Sequence, residues 1–206
     1  MYAKLENSLE EFITEFDRIP VARKNLLNQL TSFVQQRLDA AEPVMLNFIC
    51  THNSRRSHIA QLWAHAAAHY WRLPNVRCFS GGTEATAFNP RAVKAMQEAG
   101  FDIRIATPGD NPVYEGRFAG DASPVHVFSK RYDDPVNPKH DFAAIMTCSQ
   151  ADQDCPVVVG AAARISLTYD DPKEFDGTPQ ETAKYDERVR EIGREILFAF
   201  SRVNPH

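Results

Sequence analysis

The chain has 206 residues, of which 43% are hydrophobic and 24% charged, with a formal net charge of −4. These are the proportions of a globule able to bury a substantial core, and the negative charge argues against a general nucleic-acid binder, so any anion site must be local. No apolar run approaches the roughly 18–20 residues of a membrane span, and the start MYAKLENSLEEF lacks a signal-peptide core; four cysteines in that context predict reduced thiols and a cytoplasmic protein.

Ser8 with Glu11 reads as a capping box, followed by Leu9, Phe12, Ile13 and Phe16 at helical spacing. After Pro20, Leu26, Leu27, Leu30, Val34 and Leu38 predict a longer amphipathic helix. Residues 1–41 are therefore expected to form a helical extension ahead of a domain spanning 42–206. Its apolar faces either pack on that domain or form a homodimer interface.

The apolar run Val44 to Ile49 predicts a strand ending in Cys50, and Ile59, Leu62, Trp63, Ala66, Ala67 and Tyr70 predict a helix from Ser57 to about Trp71. A short strand follows at Val76–Ser80, then a Gly81-Gly82-Thr83 loop. Asn89-Pro90 starts a helix and Gly100 ends it. Residues 106–124, rich in Pro, Gly and Asp, read as a loop. Val125–Phe128 predicts a strand, broken by Asp133-Asp134-Pro135 and Asn137-Pro138. Phe142–Thr147 is an apolar strand delivering Cys148, and Ile165–Thr168 is a last short strand delivering Asp170-Asp171-Pro172. Thr178-Pro179 with Glu181 starts a long terminal helix carrying Val189, Ile192, Ile196, Leu197 and Phe200. This alternation predicts a parallel sheet with helices on both faces, whose site lies at the carboxyl ends of the strands. Cys50, Ser80, Cys148 and Asp171 all fall at or after such ends.

The stretch VMLNFICTHNSRRS is where chemistry concentrates. A strand feeding a short polar loop into a helix N-terminus presents unpaired N–H groups and the positive end of a dipole to an anion. The same field, with Arg56 close by, favours a thiolate at Cys50. The pattern Cys-x5-Arg-Ser thus reads as a nucleophile beneath an oxyanion held by Thr51, His52, Asn53, Ser54, Arg55, Arg56 and Ser57.

Cys148 and Cys155 bracket the polar segment CSQADQDC. Zinc usually needs four ligands, which this pair does not supply. Two unrelated surface cysteines are one alternative; the other is a thiol relay on a loop hinged by Pro156 and Gly160, favoured because a nucleophilic cysteine already exists. A proton donor for a departing oxygen could be the carboxyl of Asp171 or that of the Asp133-Asp134-Pro135 turn, and local pattern does not separate them. Cys78 reads as a core thiol. His58, His65 and His69 read as surface or interface histidines, since no third metal ligand accompanies the i,i+4 pair.

CTHNSRRS, SGGTEATAFNPRAVKAMQEAGFDI, AAIMTCSQADQDCP and YDDP, in that order, resemble the low-molecular-weight protein tyrosine phosphatase family, and more specifically its thioredoxin-coupled arsenate reductase branch. The resemblance covers roughly residues 44–200. It implies an α/β three-layer sandwich with a central parallel four-stranded sheet and a phosphatase-like anion loop, no cofactor and no metal. It places the acid at Asp171. It implies reduction of arsenate to arsenite: Cys50 attacks the oxyanion, Arg56 and the loop N–H groups hold it, and Asp171 protonates the leaving hydroxide. Asn53 would organise the loop and Ser57 donate to Cys50. Cys148 would then attack Cys50, and Cys155 would close a Cys148–Cys155 disulfide for a thioredoxin-like reductant.

The implied partners are an arsenate or phosphate-like oxyanion and that reductant, with neither nucleic acid nor membrane. Two alternatives stay open: a tyrosine or small-phosphoester phosphatase using Cys50, Arg56 and Asp171, and a noncatalytic anion-sensing protein. The family usually has Gly at His52 and a small residue or Cys at Arg55; both side chains are expected to point outward and add positive potential. Lys173-Glu174 stand where the phosphatases carry aromatic residues.

Overall fold

The computed structural model describes residues 1–155 and 157–204. Helices α1 (Ala3–Ile13) and α2 (Val21–Asp39) precede β1 (Val44–Cys50), α3 (Arg56–Tyr70), β2 (Val76–Gly82) and α4 (Pro90–Glu98). Next come β3 (Asp102–Thr107), β4 (Val113–Arg117), β5 (Val125–Val127), β6 (Phe142–Met146), α5 (Ser149–Asp154), β7 (Ala161–Ser166) and α6 (Glu181–Ser201). Four strands form an all-parallel sheet in the order β2-β1-β6-β7.

β1 is central because both of its faces are apolar enough to be covered. Val44, Leu46 and Phe48 alternate onto a large core shared with α1, α2, α3 and α6. Ile49 faces the other side, with Phe142, Ala144, Met146, Ala151 of α5 and Val158. Each large side chain buried in this way stabilises the fold by about 1.5–3 kcal/mol. The result is the three-layer α/β architecture expected from the alternation.

Tertiary context moved several boundaries. Helix α1 starts at Ala3, so Ser8 and Glu11 lie inside it and form no capping box. Tyr2 is instead the extended residue ahead of the helix, tied by its N–H to the Phe118 carbonyl at 3.0 Å, while Leu5, Leu9 and Phe12 form the buried stripe. Phe16 falls in a 3-10 turn (Phe16–Arg18). The apolar faces of α1 and α2 are buried within the chain's own core.

Residues 106–124 are not simply a loop. β4 runs through them and pairs antiparallel with β3 and β5 in a second, three-stranded sheet. Its alternation of buried Tyr114 and Gly116 with more exposed neighbours is that of a half-covered sheet, which the surrounding Gly and Pro obscured. β7 lies earlier than expected because its Ala161-Ala162-Ala163 start has little β propensity of its own.

Candidate active site

β1 delivers Cys50 to a loop running from Thr51 into the first turn of α3. The loop carbonyls are turned outward and held there. Cys50 O accepts from Thr83 N at 3.1 Å, and Thr51 O from Glu84 N at 2.8 Å. His52 O accepts from Ser129 Oγ at 3.0 Å, and Ser54 O from Asn89 N at 2.8 Å. In a planar trans peptide the N–H opposes the C=O. The N–H groups of Thr51, His52, Asn53 and Arg55 therefore face away from those partners, as a concave anion nest requires.

Asn53 makes this curvature possible. Its φ of 45° is left-handed, a region Asn tolerates better than most residues. Its Oδ1 accepts from Lys130 N at 2.9 Å, and its Nδ2 donates to Ser57 Oγ at 2.9 Å. Ser57 Oγ in turn lies 3.1 Å from Cys50 Sγ. Gly82 lets the neighbouring loop approach: a Cβ there would sit 2.6 Å from Thr51 O and 2.7 Å from Asn53 N.

Two arginines follow, and they behave differently. Arg56 Nη2 lies 2.6 Å from Asp171 Oδ2, and Nη1 donates to Tyr169 O at 2.8 Å. Arg55 does not point outward. It is buried, donating through Nε to Tyr185 Oη at 2.8 Å, with Asp176 at 3.5 Å and Asp171 at 3.9 Å. Burial pushes the Tyr185 hydroxyl up to about 12, so it remains a neutral donor, here to Asp176 Oδ1. His52 does point outward, with Nε2 3.7 Å from Glu84 Oε2. The interior charge of the site therefore comes from the arginines.

Asp171 caps the 3-10 turn Pro172–Phe175, accepting from Lys173 N at 3.1 Å. The rival carboxylates serve another loop: Asp133 pairs with Arg131, and Asp134 Oδ1 accepts from Val136 N. Of these carboxylates, Asp171 is the one bonded to Arg56. An open cleft of about 460 Å³ is lined by Arg56, Cys148, Tyr169, Asp171 and Phe175 among others. Phe175 supplies an aromatic wall that the Lys173-Glu174 pair had suggested was missing.

Cys148 lies at the end of β6, 1% exposed, with Sγ 3.4 Å from Thr51 Oγ1. It caps α5, accepting from Ala151 N, and Cys155 is the C-cap of the same helix. Cys50 and Cys148 belong to one buried apolar cluster, and Cys155, half-buried, packs against it. The two later cysteines thus flank a six-residue helix rather than sharing a free loop. Gly160, one expected hinge, has φ 83° and packs against Lys139; Pro156, the other, lies outside the described residues. Arg164 clamps α5, with Nη2 2.7 Å from Asp152 Oδ1 and Nε 3.0 Å from Cys155 O. Burial and the Asp154 charge raise the Cys155 thiol above its ordinary value.

Residues outside the loop also matter. Ser129 and Thr83 hold its carbonyls; Thr83 lies in the quoted SGGTEATAFNP stretch, whereas nothing in the local sequence marked Ser129. Cys78 is a core thiol, raised far by burial. His58 is not a surface residue: it is fully buried, 3.0 Å from Ser80 Oγ, and burial drives it well below the usual histidine value. His65 contacts Cys78 O, and burial lowers it to about 4. Among the described residues no group of three His, Cys, Asp or Glu could hold a metal, and no helix is long and apolar enough to cross a membrane.

No family model matches the chain. It is 34% identical over 153 residues to the arsenate reductase of Bacillus licheniformis, covering 72% of this chain and 89% of that one. It is 30% identical over 157 residues to the arsenate reductase of Bacillus subtilis, covering 75% and 94%. Among solved structures, the low-molecular-weight protein tyrosine phosphatase of T. tengcongensis superposes with a TM-score of 0.52 at 16% identity, covering 78% of this chain and 99% of that one.

Proposed function

The chain belongs to the arsenate reductase family, built on the low-molecular-weight phosphatase fold, and from that premise we propose that it reduces arsenate to arsenite through a relay of Cys50, Cys148 and Cys155. The observation that carries this reading is that Cys50 and Cys148 share one buried cluster against which Cys155 packs. A hydrolase has no need of the second and third.

In the first step the Cys50 thiolate attacks arsenic. The As–S bond forms as an As–O bond breaks, and Asp171 protonates the departing hydroxide to water. Loop N–H groups and Arg56 hold the remaining oxygens, the planar guanidinium matching two of them at once. Arg56 contacts Asp171 directly, so the oxyanion and Asp171 compete for one cation. Binding would transfer Arg56 to the oxyanion and leave the acid free to act.

Cys148 thiolate then attacks Cys50 Sγ. The S–S bond forms, the S–As bond breaks, and its electron pair stays on arsenic, which leaves as arsenite. Cys155 attacks Cys148, releasing Cys50 as thiolate. Seven residues of helical rise separate Cys148 from Cys155 by about 10 Å, beyond the roughly 4.4–6.8 Å Cα span of a disulfide. Forming the second disulfide therefore requires α5 to unwind. An external dithiol of the thioredoxin class then reduces Cys148–Cys155.

The test is steady-state turnover with arsenate and a thioredoxin system, beside a phosphoester control. Arsenate-dependent oxidation of the dithiol that disappears in Cys50→Ser supports the reading. Fast phosphoester hydrolysis with no arsenate turnover would replace it with the phosphatase reading, which needs only Cys50, Arg56 and Asp171 and which Phe175 in the cleft wall favours.

A further inference from the structure

Arg23 of the N-terminal helices reaches the acid segment. Arg23, on the first turn of α2, donates Nε to both carboxylate oxygens of Glu195 on α6, at 3.0 and 2.9 Å. Its guanidinium carbon lies 4.7 Å from the centroid of the Tyr169 ring. Glu195 is 3% exposed and Tyr169 6%. The contact is thus made away from water, where a cation on a ring face is strongest.

Tyr169 stands two residues before Asp171, and its backbone is occupied on both sides. Its N–H donates to Thr147 O at 3.2 Å, beside the end of β6, and its carbonyl accepts from Arg56 Nη1. Thr147 N and Oγ1 both donate to Ile49 O, one residue before Cys50. A continuous chain of contacts therefore runs from Arg23 through the Tyr169 ring to the Tyr169 carbonyl, Arg56 and Asp171.

We infer that Arg23 is a positioning residue for the proposed reaction: oriented by Glu195, it presses on Tyr169 and fixes the Tyr169–Asp171 segment over the Cys50 loop. The inference rests on the roles proposed above for Arg56 and Asp171. A planar guanidinium suits this site, because it lies over the ring while donating to both oxygens of Glu195; an ammonium lacks that fixed fork of donors. The N-terminal extension thereby contributes to the chemistry without touching substrate.

The test uses the full chain and two variants. Arg23→Met with Glu195→Leu removes both charges, leaving no buried carboxylate unpaired. Arg23→Lys keeps the charge and loses the plane. Each is compared with the native chain by amide hydrogen exchange, by kcat and KM for arsenate, and by the alkylation rate of Cys50.

In the double variant, exchange over residues 169–176 should rise about tenfold and kcat fall about tenfold, since small misplacements at a distance are costly to catalysis. KM should stay within about twofold and Cys50 alkylation should be unchanged, with Arg23→Lys intermediate. A folded double variant with native exchange over 169–176 overturns the inference. So does faster exchange with native kcat, which would make the contact merely structural. If the double variant fails to fold, Arg23→Lys decides by the same criteria. If the native chain does not turn over arsenate, the functional reading fails and the exchange measurement alone decides whether Arg23 holds the segment.

Discussion

Arg56 Nη2 lies 2.6 Å from Asp171 Oδ2, so the guanidinium proposed to hold the oxyanion and the carboxyl proposed to protonate its leaving group are bonded to each other. On the proposed mechanism this contact ties oxyanion binding to acid release. In Asp171→Asn the neutral amide competes less well for Arg56. Phosphate binding, measured by calorimetry in a Cys50→Ser background, should tighten by roughly 1 kcal/mol, about fivefold. Arsenate turnover in the Cys50 protein should fall about 10²-fold or more. Asp134→Asn should change neither. Equal losses in both aspartate variants would remove Asp171 from the mechanism.

The relay separates into stages. Cys148→Ser should bind arsenate and stop before arsenite is released. Cys155→Ser should release about one equivalent of arsenite and then stall as a Cys50–Cys148 disulfide visible by mass spectrometry. Multiple turnover by the Cys155 variant with a thioredoxin system would show that two thiols suffice.

Oxidation to the Cys148–Cys155 disulfide should abolish hydrogen-exchange protection over residues 149–154, because α5 cannot persist with its two caps joined. Retained protection in the oxidised protein would contradict the proposed unwinding.

Gly82→Ala tests the packing of the anion loop. The added methyl would meet Glu84 O at 2.2 Å and Thr51 O at 2.6 Å, both backbone atoms that cannot step aside cheaply. Loss of roughly 1–3 kcal/mol by denaturant titration is expected from overpacking, with weaker phosphate binding. Unchanged phosphate affinity would show that the loop does not depend on this approach.

Glu15 anchors the turn after α1 to α6 through Arg190 and Arg194, and its carboxyl is held below the ordinary 4.5, chiefly by the Arg190 hydrogen bond. A lowered folded-state value means stability that is fully present above the ordinary value and is lost as pH falls through the folded one. Glu15→Gln should therefore lower Tm at pH 7, and the gap from the native chain should close as pH drops below about 4.5. A gap that is constant across that range would locate the effect in packing.

The sequence alone determined most of the central sheet and the nucleophile's loop. Cys50 and Arg56 lie six residues apart across one strand-to-helix turn, a spacing that marks an anion loop by itself, whereas the roles of Asn53 and Ser57 came from the family resemblance. Cys148 is legible for the same reason, as the end of the apolar run Phe142–Met146. Tertiary structure alone decided what depends on distant segments meeting. It brought Asp171, where the resemblance had placed the acid, into contact with Arg56, while Asp134 bonds within its own turn. It turned Arg55 inward, because Tyr185 and Asp176, more than a hundred residues later, offered it partners. It buried His58 against Ser80 of β2 and revealed β4, whose partners lie on either side of it in another sheet. It also folded CSQADQDC into a helix between its cysteines. Residues that act through neighbours in the chain leave a pattern in the sequence; residues whose partners arrive only through packing leave none.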